Sequence, residues 1–444
     1  MTTATSAART LPKLEPADFK IPTLGECTFQ TPPTKNEIVS ENERILYQSR
    51  FSSPSELDPS LAFEVAGLRD HLFFDPHDIN VGIVTCGGLC PGLNDVIRSI
   101  TYSSLAYGVK KVYGFKFGYR GLSRQGRSYV LLDTKSVNTI HYLGGSFLGS
   151  SRGPVPPEEM VETLKLLKIS VLFTIGGDGT QRGAMFLQDK ITEMGEKISV
   201  IGIPKTIDND ILYVDKTFGF DTAVEEAREA LTCAHVEAKS APHGLSIVKL
   251  MGRDSGFISA KATLASGDVN ICLIPEEPFT LEALFKVVES RLLRQNHCVI
   301  VVAEGAGAEL MAKIQPPVKD ASGNLKGGDI GLFLKEQIQA HFKKLDMECT
   351  TRYIDPSYTI RACKPNASDA AFCEELGNKA VNSALSGKTG CIVGFWNQQF
   401  TLVPFSLITR GRKMIKLDEN MWSTVKAMTA DVTGRSEKGE ASCL

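Results

Sequence analysis

Short apolar runs alternate with longer segments of helical periodicity from about residue 79 onward. The runs predict strands at 79–86, 111–117, 170–175, 198–203, 245–250, 270–274, 298–303, 350–354 and 390–395. Helices are predicted between them, for example over 221–239 and from about Gln181 to Met194. This alternation is typical of βαβ units, and it predicts an α/β fold with a mainly parallel sheet.

Both ends of the chain lack this alternation. Residues 1–78 contain prolines at positions 12, 16, 22, 32, 33, 54 and 59, so we expect an N-terminal extension without long regular elements. Its apolar side chains can anchor it to the body: Phe19, Ile21, Phe29, Phe51 and Phe63. A polar, mobile loop is predicted at 316–328. Residues 429–444 have little to bury, which predicts a disordered tail.

The most informative loop follows the apolar run at 198–203 and has the sequence PKTIDND over residues 204–210. The ends of strands in open α/β sheets are where ligands bind. Asp208 and Asp210 lie two residues apart, and such carboxylates tolerate one another only when a cation, a donor or a proton separates them. With Lys205 and Thr206 beside them, they predict a site for a metal-bound phosphate and a proton transfer. Ordinary turn chemistry is the alternative, since Asp and Asn cap backbone groups in loops.

Two further strand ends carry glycine-rich loops. The run at 170–175 leads into GGDGT at 176–180, where Asp178 is a candidate Mg²⁺ ligand, and the run at 79–86 leads into GGLCPG at 87–92. Glycines between a strand and a helix let the backbone approach a phosphate, whose charge a helix N-terminus favours. Neither loop has the dinucleotide fingerprint or the P-loop spacing. Each is a weak signal alone, but three loops on three strand ends predict a phosphate site.

Bulk composition narrows the class of protein. The 444 residues carry a formal net charge of −2, which predicts neither nucleic-acid nor membrane-surface binding. Eleven cysteines are scattered without a CxxC motif, so we expect reduced thiols and no zinc site. Cys86 and Cys90, beside the first glycine loop, are interpreted as packing residues. No apolar run approaches the roughly 20 residues that span a bilayer, and we expect a cytoplasmic enzyme.

The motifs together resemble the 6-phosphofructokinases. The matching segments, over residues 79–400, are GGLCPGLN at 87–94, FGYRG at 117–121, GGSFLGSSRG at 144–153, GGDGT at 176–180, PKTIDND at 204–210, MGRDSG at 251–256, PEEPF at 275–279, AEGAG at 303–307 and YTIRA at 358–362. The plant-type ATP-dependent branch, which shares the lysine of PKTIDND with pyrophosphate-dependent members, is the most similar.

The resemblance implies two Rossmann-like lobes that face an active-site cleft. Residues 79–220 would form the N-terminal lobe, which binds nucleotide and Mg²⁺, and 221–357 the second lobe, which binds sugar phosphate. Residues 358–428 would return to complete both lobes. The implied reaction transfers a phosphoryl group from MgATP to the 1-hydroxyl of fructose 6-phosphate, in glycolysis. A homo-oligomer, dimer or tetramer, is also implied.

Individual roles follow from the same resemblance. Asp208 matches the catalytic base, Thr206 a residue that bonds substrate or the transferred group, and Lys205 a cation for the charge on that group. Asp178 and Asp210 would act through the metal. The nucleotide-binding positions are Gly88, Tyr119, Arg152, Gly153, Gly177, Asp178, Gly179 and Thr180. The substrate-binding positions are Thr206, Ile207, Asp208, Met251, Gly252, Arg253, Glu304, Arg352, Tyr358, Thr359, Ile360 and Arg361.

The chain also departs from the bacterial pattern of this family. Arg352 matches an arginine that reaches across the subunit interface in bacterial members. Those members have a second such arginine, and the corresponding segment 242–245 of this chain has none. Tyr358 stands where bacterial members have histidine. The part of the sugar site that a neighbouring subunit would supply, Arg352 included, is therefore the less well matched part.

Three functions are weighed against one another. Pyrophosphate-dependent members have Asp at the position of Gly179, where the carboxylate would occupy the room for the α-phosphate and repel it. Gly179 therefore favours ATP over pyrophosphate. A non-catalytic regulatory subunit is the third possibility, and the intact Asp178, Asp208, Arg253 and Glu304 disfavour it. Lipid and NAD kinases share the GGDGT pattern but not PKTIDND followed by MGR.

Overall fold

A computed structural model describes residues 13–34, 36–313, 318–319, 325–326 and 328–430. Within them the strands are β1 (Phe29–Gln30), β2 (Arg44–Leu46), β3 (Ala62–Val65), β4 (His71–Leu72), β5 (Asn80–Thr85), β6 (Lys111–Phe115), β7 (Tyr129–Leu132), β8 (Ile169–Gly176), β9 (Ser199–Pro204), β10 (Gly244–Leu250), β11 (Ile271–Leu273), β12 (His297–Ala303), β13 (Val318–Lys319), β14 (Leu325–Lys326), β15 (Thr350–Ile354), β16 (Cys391–Trp396) and β17 (Gln399–Pro404).

The helices lie mainly between these strands. They are α1 (Leu93–Ala106), α2 (Pro157–Leu166), α3 (Asp178–Glu193), α4 (Phe220–Lys239), α5 (Phe257–Ser266), α6 (Leu281–Gln295), α7 (Ala308–Ala312), α8 (Ile330–Lys344), α9 (Ser357–Ala362), α10 (Ala367–Leu385), α11 (Phe405–Ile408) and α12 (Asn420–Thr429). Short 3₁₀ helices occupy Pro16–Phe19, Pro54–Glu56, Pro76–Asp78, Gly118–Leu122 and Ile140–Tyr142. Across the described residues, none of the helices is long and apolar enough to cross a membrane.

Every predicted strand range overlaps an observed strand, and the ends of that strand differ from the prediction by at most two residues. The helix predicted over 221–239 is α4, which begins one residue earlier. The helix predicted from Gln181 begins instead at Asp178, because the GDGT segment forms its first turn and Gly177 is its N-cap. Most of the loop predicted at 316–328, and residues 431–444 of the predicted tail, lie outside the described residues.

Nine strands form the larger sheet, in the order β2-β3-β17-β16-β9-β8-β5-β6-β7. The central strands β16, β9, β8, β5 and β6 are parallel, whereas the outer pairs are antiparallel. The smaller sheet, β11-β12-β10-β15, is parallel throughout. Two sheets with helices between their parallel strands confirm the predicted α/β class.

The two lobes share a continuous apolar core. Helix α4 lies on the smaller sheet, packing on β10 and β12, and also touches α10, which packs on α1 of the first lobe. Its buried residues belong to the same cluster as residues of both sheets, such as Ile203 and Val248. Because apolar area is buried across the junction, the cleft between the lobes has a fixed floor.

The N-terminal residues are more integrated into the fold than an extension would be. Strands β2 and β3 extend the larger sheet beyond β17, and Phe19, Ile21 and Phe63 are buried, as expected of anchors. Phe29 and Phe51 are exposed, which differs from the expectation that they are buried anchors. Within residues 358–428, β16 and β17 join the larger sheet, and α12 packs on α5.

Candidate active site

The three loops singled out by sequence lie side by side. Strands β9, β8 and β5 are adjacent and parallel, so their carboxyl ends meet at one edge of the larger sheet. Two hydrogen bonds join the loops there. The Lys205 N–H donates to the Gly176 carbonyl at 3.0 Å, and the Cys86 N–H to the Ile175 carbonyl at 2.9 Å.

A cleft of about 1090 Å³ opens beside these loops and is lined by both lobes. Most of the predicted site residues line it. They are Gly88, Tyr119, Arg152, Gly153, Gly177, Asp178, Gly179, Thr180, Lys205, Thr206, Ile207, Asp208, Asp210, Met251, Arg253, Glu304 and Arg361. These residues were separated by as many as 273 positions along the chain, and the fold brings them around one space.

Five predicted substrate-binding residues do not line this cleft. Ile360 is fully buried in the core, and Tyr358 is 81% exposed. Arg352 projects from β15, where its Nε lies 3.6 Å from Glu237 Oε2 between two exposed side chains. Gly252 and Thr359 are also outside the lining. Their predicted roles stay predictions. Arg352 is predicted to act in the sugar site of a neighbouring subunit and not in its own.

Asp208 is the partly buried carboxylate at the centre of the site. Its Oδ1 atom is buried and accepts no hydrogen bond within the described residues. Burial, together with the nearby charges of Asp210 and Glu304, raises the pKa of Asp208 to about 7. A base is most effective when its pKa lies near the working pH, so an unpaired carboxylate of this kind can accept a proton from a bound hydroxyl group.

The residues around Asp208 hold its loop in place. The Thr206 hydroxyl accepts from the Asp208 N–H at 3.1 Å and donates to Asp210 Oδ1 at 3.0 Å. Asn209 has a left-handed φ of 53°, a conformation that Asn tolerates better than most residues. Its side chain donates to the Asp215 carbonyl at 3.0 Å and accepts from the Thr217 N–H at 3.1 Å. The Asn therefore fixes the turn that separates the two carboxylates.

Three cationic groups approach the first glycine loop. Lys205 is buried, which lowers its pKa, and its Nζ donates to the Gly88 carbonyl at 2.7 Å. A Cβ atom placed on Gly88 would lie 3.7 Å from an Arg361 Nη and 4.0 Å from an Arg152 Nη. The hydrogen bond of Lys205 therefore goes to the loop backbone. The three charges converge on the Gly88 loop.

The amino end of α3 forms the third side of the site. The N–H groups of Asp178 and Gly179 precede the first bonds of the helix, in which Thr180 and Gln181 donate to the Gly177 carbonyl at 2.9 and 3.0 Å, and Gly177 caps the helix without a side chain. The Tyr119 hydroxyl donates to the Thr180 carbonyl at 2.8 Å, so this buried side chain supports the first turn of α3. Gly179 is exposed, and a Cβ atom there would meet no heavy atom within 4 Å. The helix end thus offers N–H groups and space for phosphates.

On the side of the second lobe, Arg253 and Glu304 face the cleft. Their closest atoms, Nη2 and Oε1, are 3.9 Å apart. The Glu304 N–H donates to the Leu250 carbonyl at 2.9 Å, and the Gly305 N–H to the Gly252 carbonyl at 3.1 Å, so the strand ends of β10 and β12 position both side chains. An arginine can bind a phosphate group, and a carboxylate beside it can accept hydrogen bonds from hydroxyl groups, so this pair suits a sugar phosphate.

Sequence reasoning missed Arg412 and Asp254. Arg412 lines the cleft and its guanidinium contacts Asp210, Asp254 and Asp178, with nitrogen–oxygen distances of 2.6, 3.1 and 4.0 Å. Asp254 was inside the quoted MGRDSG motif but received no role. The basic segment TRGRK at 409–413 was the available signal, but nothing local indicates that it reaches the loop at 204–210.

The residues present suit Mg²⁺ brought by a nucleotide. Mg²⁺ is usually held by one or two carboxylates together with substrate phosphates, and Asp178 and Asp210 lie close enough to share one arginine. Among the described residues, no group of three or more His, Cys, Asp or Glu side chains is arranged to hold a metal ion by itself. The two carboxylates therefore fit a metal that arrives with phosphate oxygens of its own.

The cysteines of the first loop take no part in this chemistry. Cys86 and Cys90 are both buried, and burial raises the pKa of Cys86 to about 12 and that of Cys90 still further. Thiols in that state are not nucleophiles at neutral pH, which agrees with their interpretation as packing residues.

Comparison with known proteins gives the family. The family model described as phosphofructokinase matches residues 80–384. The chain belongs to the phosphofructokinase family. It is 44% identical over 429 residues to the ATP-dependent 6-phosphofructokinase of Trypanosoma brucei brucei, covering 94% of this chain and 88% of the relative. It is 47% identical over 372 residues to the ATP-dependent 6-phosphofructokinase 7 of Arabidopsis thaliana, covering 83% and 76%.

Solved phosphofructokinases have the same fold. The pyrophosphate-dependent phosphofructokinase of Marinobacter aquaeolei superposes with a TM-score of 0.65, covering 79% of this chain and 90% of that one. At 22% sequence identity this likeness concerns the fold. The family predicted from the motifs is thereby confirmed, and so are its two-lobed α/β architecture and its kinase class.

Proposed function

We propose that this phosphofructokinase transfers the γ-phosphoryl group of ATP to the 1-hydroxyl of fructose 6-phosphate, giving fructose 1,6-bisphosphate and ADP. Asp208 carries the proposal. It is a carboxylate with a buried, unpaired oxygen and a pKa near 7, and it shares the cleft with cations that converge on a glycine loop. Phosphoryl transfer needs this combination of a base on one side and positive charge around the phosphoryl oxygens.

In the proposed reaction, the 1-hydroxyl oxygen forms a bond to the γ-phosphorus as the bond to the β-phosphate oxygen breaks. Asp208 takes the hydroxyl proton. Lys205 and Arg152 balance the charge on the transferring oxygens, and Arg361 beside them would bind the 6-phosphate of the sugar. Mg²⁺, held by Asp178 and Asp210, would neutralise the donor phosphates. The distances around Gly88 support the roles of Lys205 and Arg152, and the family motifs support the roles of Asp208, Asp178 and Asp210.

The donor and the acceptor have separate sides of the cleft in this proposal. The N–H groups at the start of α3 accommodate the donor phosphates next to the exposed Gly179. Arg253 would hold the 6-phosphate and Glu304 the sugar hydroxyls. Open space at Gly179 supports ATP over pyrophosphate, because an acidic side chain there would repel the α-phosphate.

A direct assay tests the proposal. Purified protein is supplied with fructose 6-phosphate and Mg²⁺, and with ATP or pyrophosphate in separate reactions. We expect fructose 1,6-bisphosphate from the ATP reaction and little from the pyrophosphate reaction. Faster turnover with pyrophosphate would overturn the donor assignment, and turnover with neither would favour a regulatory subunit.

We further propose that the protein works in the cytoplasm as a homo-oligomer. Support for assembly comes from Arg352, which is exposed, lies outside the cleft lining and matches a residue that reaches into a neighbouring subunit in bacterial members of the family. Light scattering after size exclusion tests the assembly, and imaging of the tagged protein in its own cells tests the compartment. A monomer in active preparations would remove any cross-subunit role for Arg352.

A further inference from the structure

A segment near the C-terminal end of the described residues crosses from one lobe to the other beside the active site. We call residues 409–429 the C-terminal strap. At its start, Arg410 pairs with Asp18 beside the first lobe, where Nη1 and Oδ2 are 3.2 Å apart. Further along, the Ile415 N–H donates to Glu276 Oε1 at 2.9 Å in the second lobe. The strap is therefore attached on both sides of the cleft.

The second-lobe attachment is an apolar one reinforced by hydrogen bonds. Trp422 is 2% exposed and packs with Ile415, Val425 and Ile274. Its indole N–H donates to Glu277 Oε2 at 3.0 Å. The Glu277 carboxylate also accepts from Lys426 Nζ at 2.6 Å. These contacts make α12 a fixed end point rather than a loose tail.

Between the two attachments, Arg412 reaches into the carboxylate cluster of the active site. Its Nη1 lies 2.6 Å from Asp210 Oδ2 and 3.1 Å from Asp254 Oδ2, and its Nη2 lies 4.0 Å from Asp178 Oδ2. The next residue is also tied to the loop, because the Lys413 N–H donates to the Asp210 carbonyl at 2.9 Å. Backbone and side chain together hold the guanidinium at this position.

The oxygen atoms that Arg412 contacts are those that a metal ion would need. Mg²⁺ binds oxygens at about 2.0–2.1 Å in octahedral geometry, so an ion shared by Asp178 and Asp210 would lie between their facing oxygens. The guanidinium bonds Asp210 Oδ2 at 2.6 Å and lies 4.0 Å from Asp178 Oδ2, which Arg182 Nη2 approaches from the helix at 3.4 Å. Two cations at one pair of oxygens also repel each other. Arg412 and the metal therefore compete for these oxygens.

We propose that Arg412 is a positioning residue that competes with the metal for Asp178 and Asp210, so that loading of the metal nucleotide displaces Arg412 and loosens the C-terminal strap. Arg412 holds the repelling carboxylates in place until a stronger cation arrives. Because the strap is attached to both lobes, its loosening on metal loading changes its contacts with each of them. This inference rests on the proposed metal role of Asp178 and Asp210.

Metal affinity without nucleotide tests the competition directly. Mn²⁺ alone is titrated into the full-length protein, and the free ion is followed by its electron paramagnetic resonance signal. Arg412→Gln should bind Mn²⁺ at least about tenfold more tightly than the unmodified chain, because a charge-assisted hydrogen bond no longer has to be broken. Arg412→Lys should fall between the two. Lys416→Gln removes an exposed strap charge whose ion pair, within the described part of the chain, is with Glu419, and the Mn²⁺ affinity of this variant should be unchanged.

Equal or weaker Mn²⁺ binding by Arg412→Gln would overturn the competition. Asp178→Asn separates this failure from a failure of the metal site itself. If Asp178→Asn binds Mn²⁺ as well as the unmodified chain, the proposed metal role is wrong. If Asp178→Asn binds weakly and Arg412→Gln binds normally, only the present inference is wrong. Thermal melting of each variant identifies any that does not fold.

Hydrogen exchange of the unmodified protein tests whether loading of the metal nucleotide loosens the C-terminal strap, and it needs no substitution. Amides of α12 and of residues 411–416 should exchange several-fold faster when Mg²⁺ and a non-hydrolysable ATP analogue are added together. The analogue alone, without metal, should have a smaller effect. Unchanged or slower exchange of the strap on loading would show that Arg412 stays in place, and the proposed displacement would be withdrawn.

Discussion

The substitution Gly179→Asp isolates the effect of one charge on donor choice. Gly179 is the second residue of α3, lines the cleft and is exposed. A Cβ atom there meets no heavy atom within 4 Å, so a side chain fits without displacing any neighbour. Acidic residues are also favourable in the first turn of a helix. We therefore expect Gly179→Asp to fold normally and to act only through repulsion of the donor phosphates.

The size of that repulsion follows from distance and exposure. Two like charges about 4 Å apart repel by about 1 kcal/mol in water and about 4 kcal/mol at an effective dielectric near 20. The exposed position lies between these limits. Arg182, one turn further along α3 and already 3.4 Å from Asp178, is close enough to screen part of the new charge. We expect a loss in kcat/KM for ATP of about a hundredfold.

Steady-state kinetics with ATP varied gives the measurement, and Gly179→Asn is the matched control, because it has the same shape without the charge. Gly179→Asn should lose much less activity than Gly179→Asp, and added salt should narrow the difference. Equal losses in the two variants would mean that the side chain blocks the nucleotide sterically. Unimpaired ATP use by Gly179→Asp would refute the electrostatic argument. Pyrophosphate is assayed in parallel, since Lys205 is shared with pyrophosphate-dependent members.

Three other predictions concern the base and the phosphate-binding arginines. Asp208→Asn should lower kcat by about 10²- to 10⁴-fold while KM for fructose 6-phosphate changes little; a near-normal kcat in the folded variant would reassign the base. Because Asp208 has a pKa raised to about 7 and acts when ionised, kcat/KM should fall as the pH drops through that value. In Asp254→Asn this fall in kcat/KM should occur at lower pH, since the Asp254 charge helps to raise the pKa of Asp208. An identical pH profile in the variant and the unmodified enzyme would mean that the fall reports protonation of the substrate phosphate. Arg361→Ala should raise KM for fructose 6-phosphate by about ten- to a hundredfold and leave KM for ATP nearly unchanged, whereas Arg152→Ala should mainly impair ATP use and kcat; an Arg361→Ala enzyme with normal sugar-phosphate affinity would give that arginine a structural role.

The strands and the three active-site loops could be predicted from the sequence because their signals are local. An apolar run that ends at glycine or proline indicates a strand and its end, as in β9 before Lys205. Since parallel strands bring their carboxyl ends to one edge, adjacency of the loops followed without knowledge of the full topology. The family motifs then predicted that Arg253 and Glu304 share one cleft with Asp208.

Other features depend on contacts that local sequence does not encode. Strands β2 and β3 are three and four residues long, too short for a reliable alternation. They belong to the larger sheet only because β3 pairs with β17 and β2 pairs with β3. The convergence of Arg152 and Arg361 on Gly88 likewise joins segments more than 200 residues apart.

Arg412 shows the difference most clearly. In the sequence it is one of several basic residues after β17, and nothing in its neighbourhood distinguishes it from a solvated charge. The fold places its guanidinium 2.6 Å from Asp210, 202 positions earlier in the chain. Local periodicity determines which residues become strands and helices, because it depends on nearest neighbours. The partner of a charged side chain is decided by chain reversals between lobes, so only the tertiary structure supplies the cation that faces the carboxylates Asp178, Asp210 and Asp254.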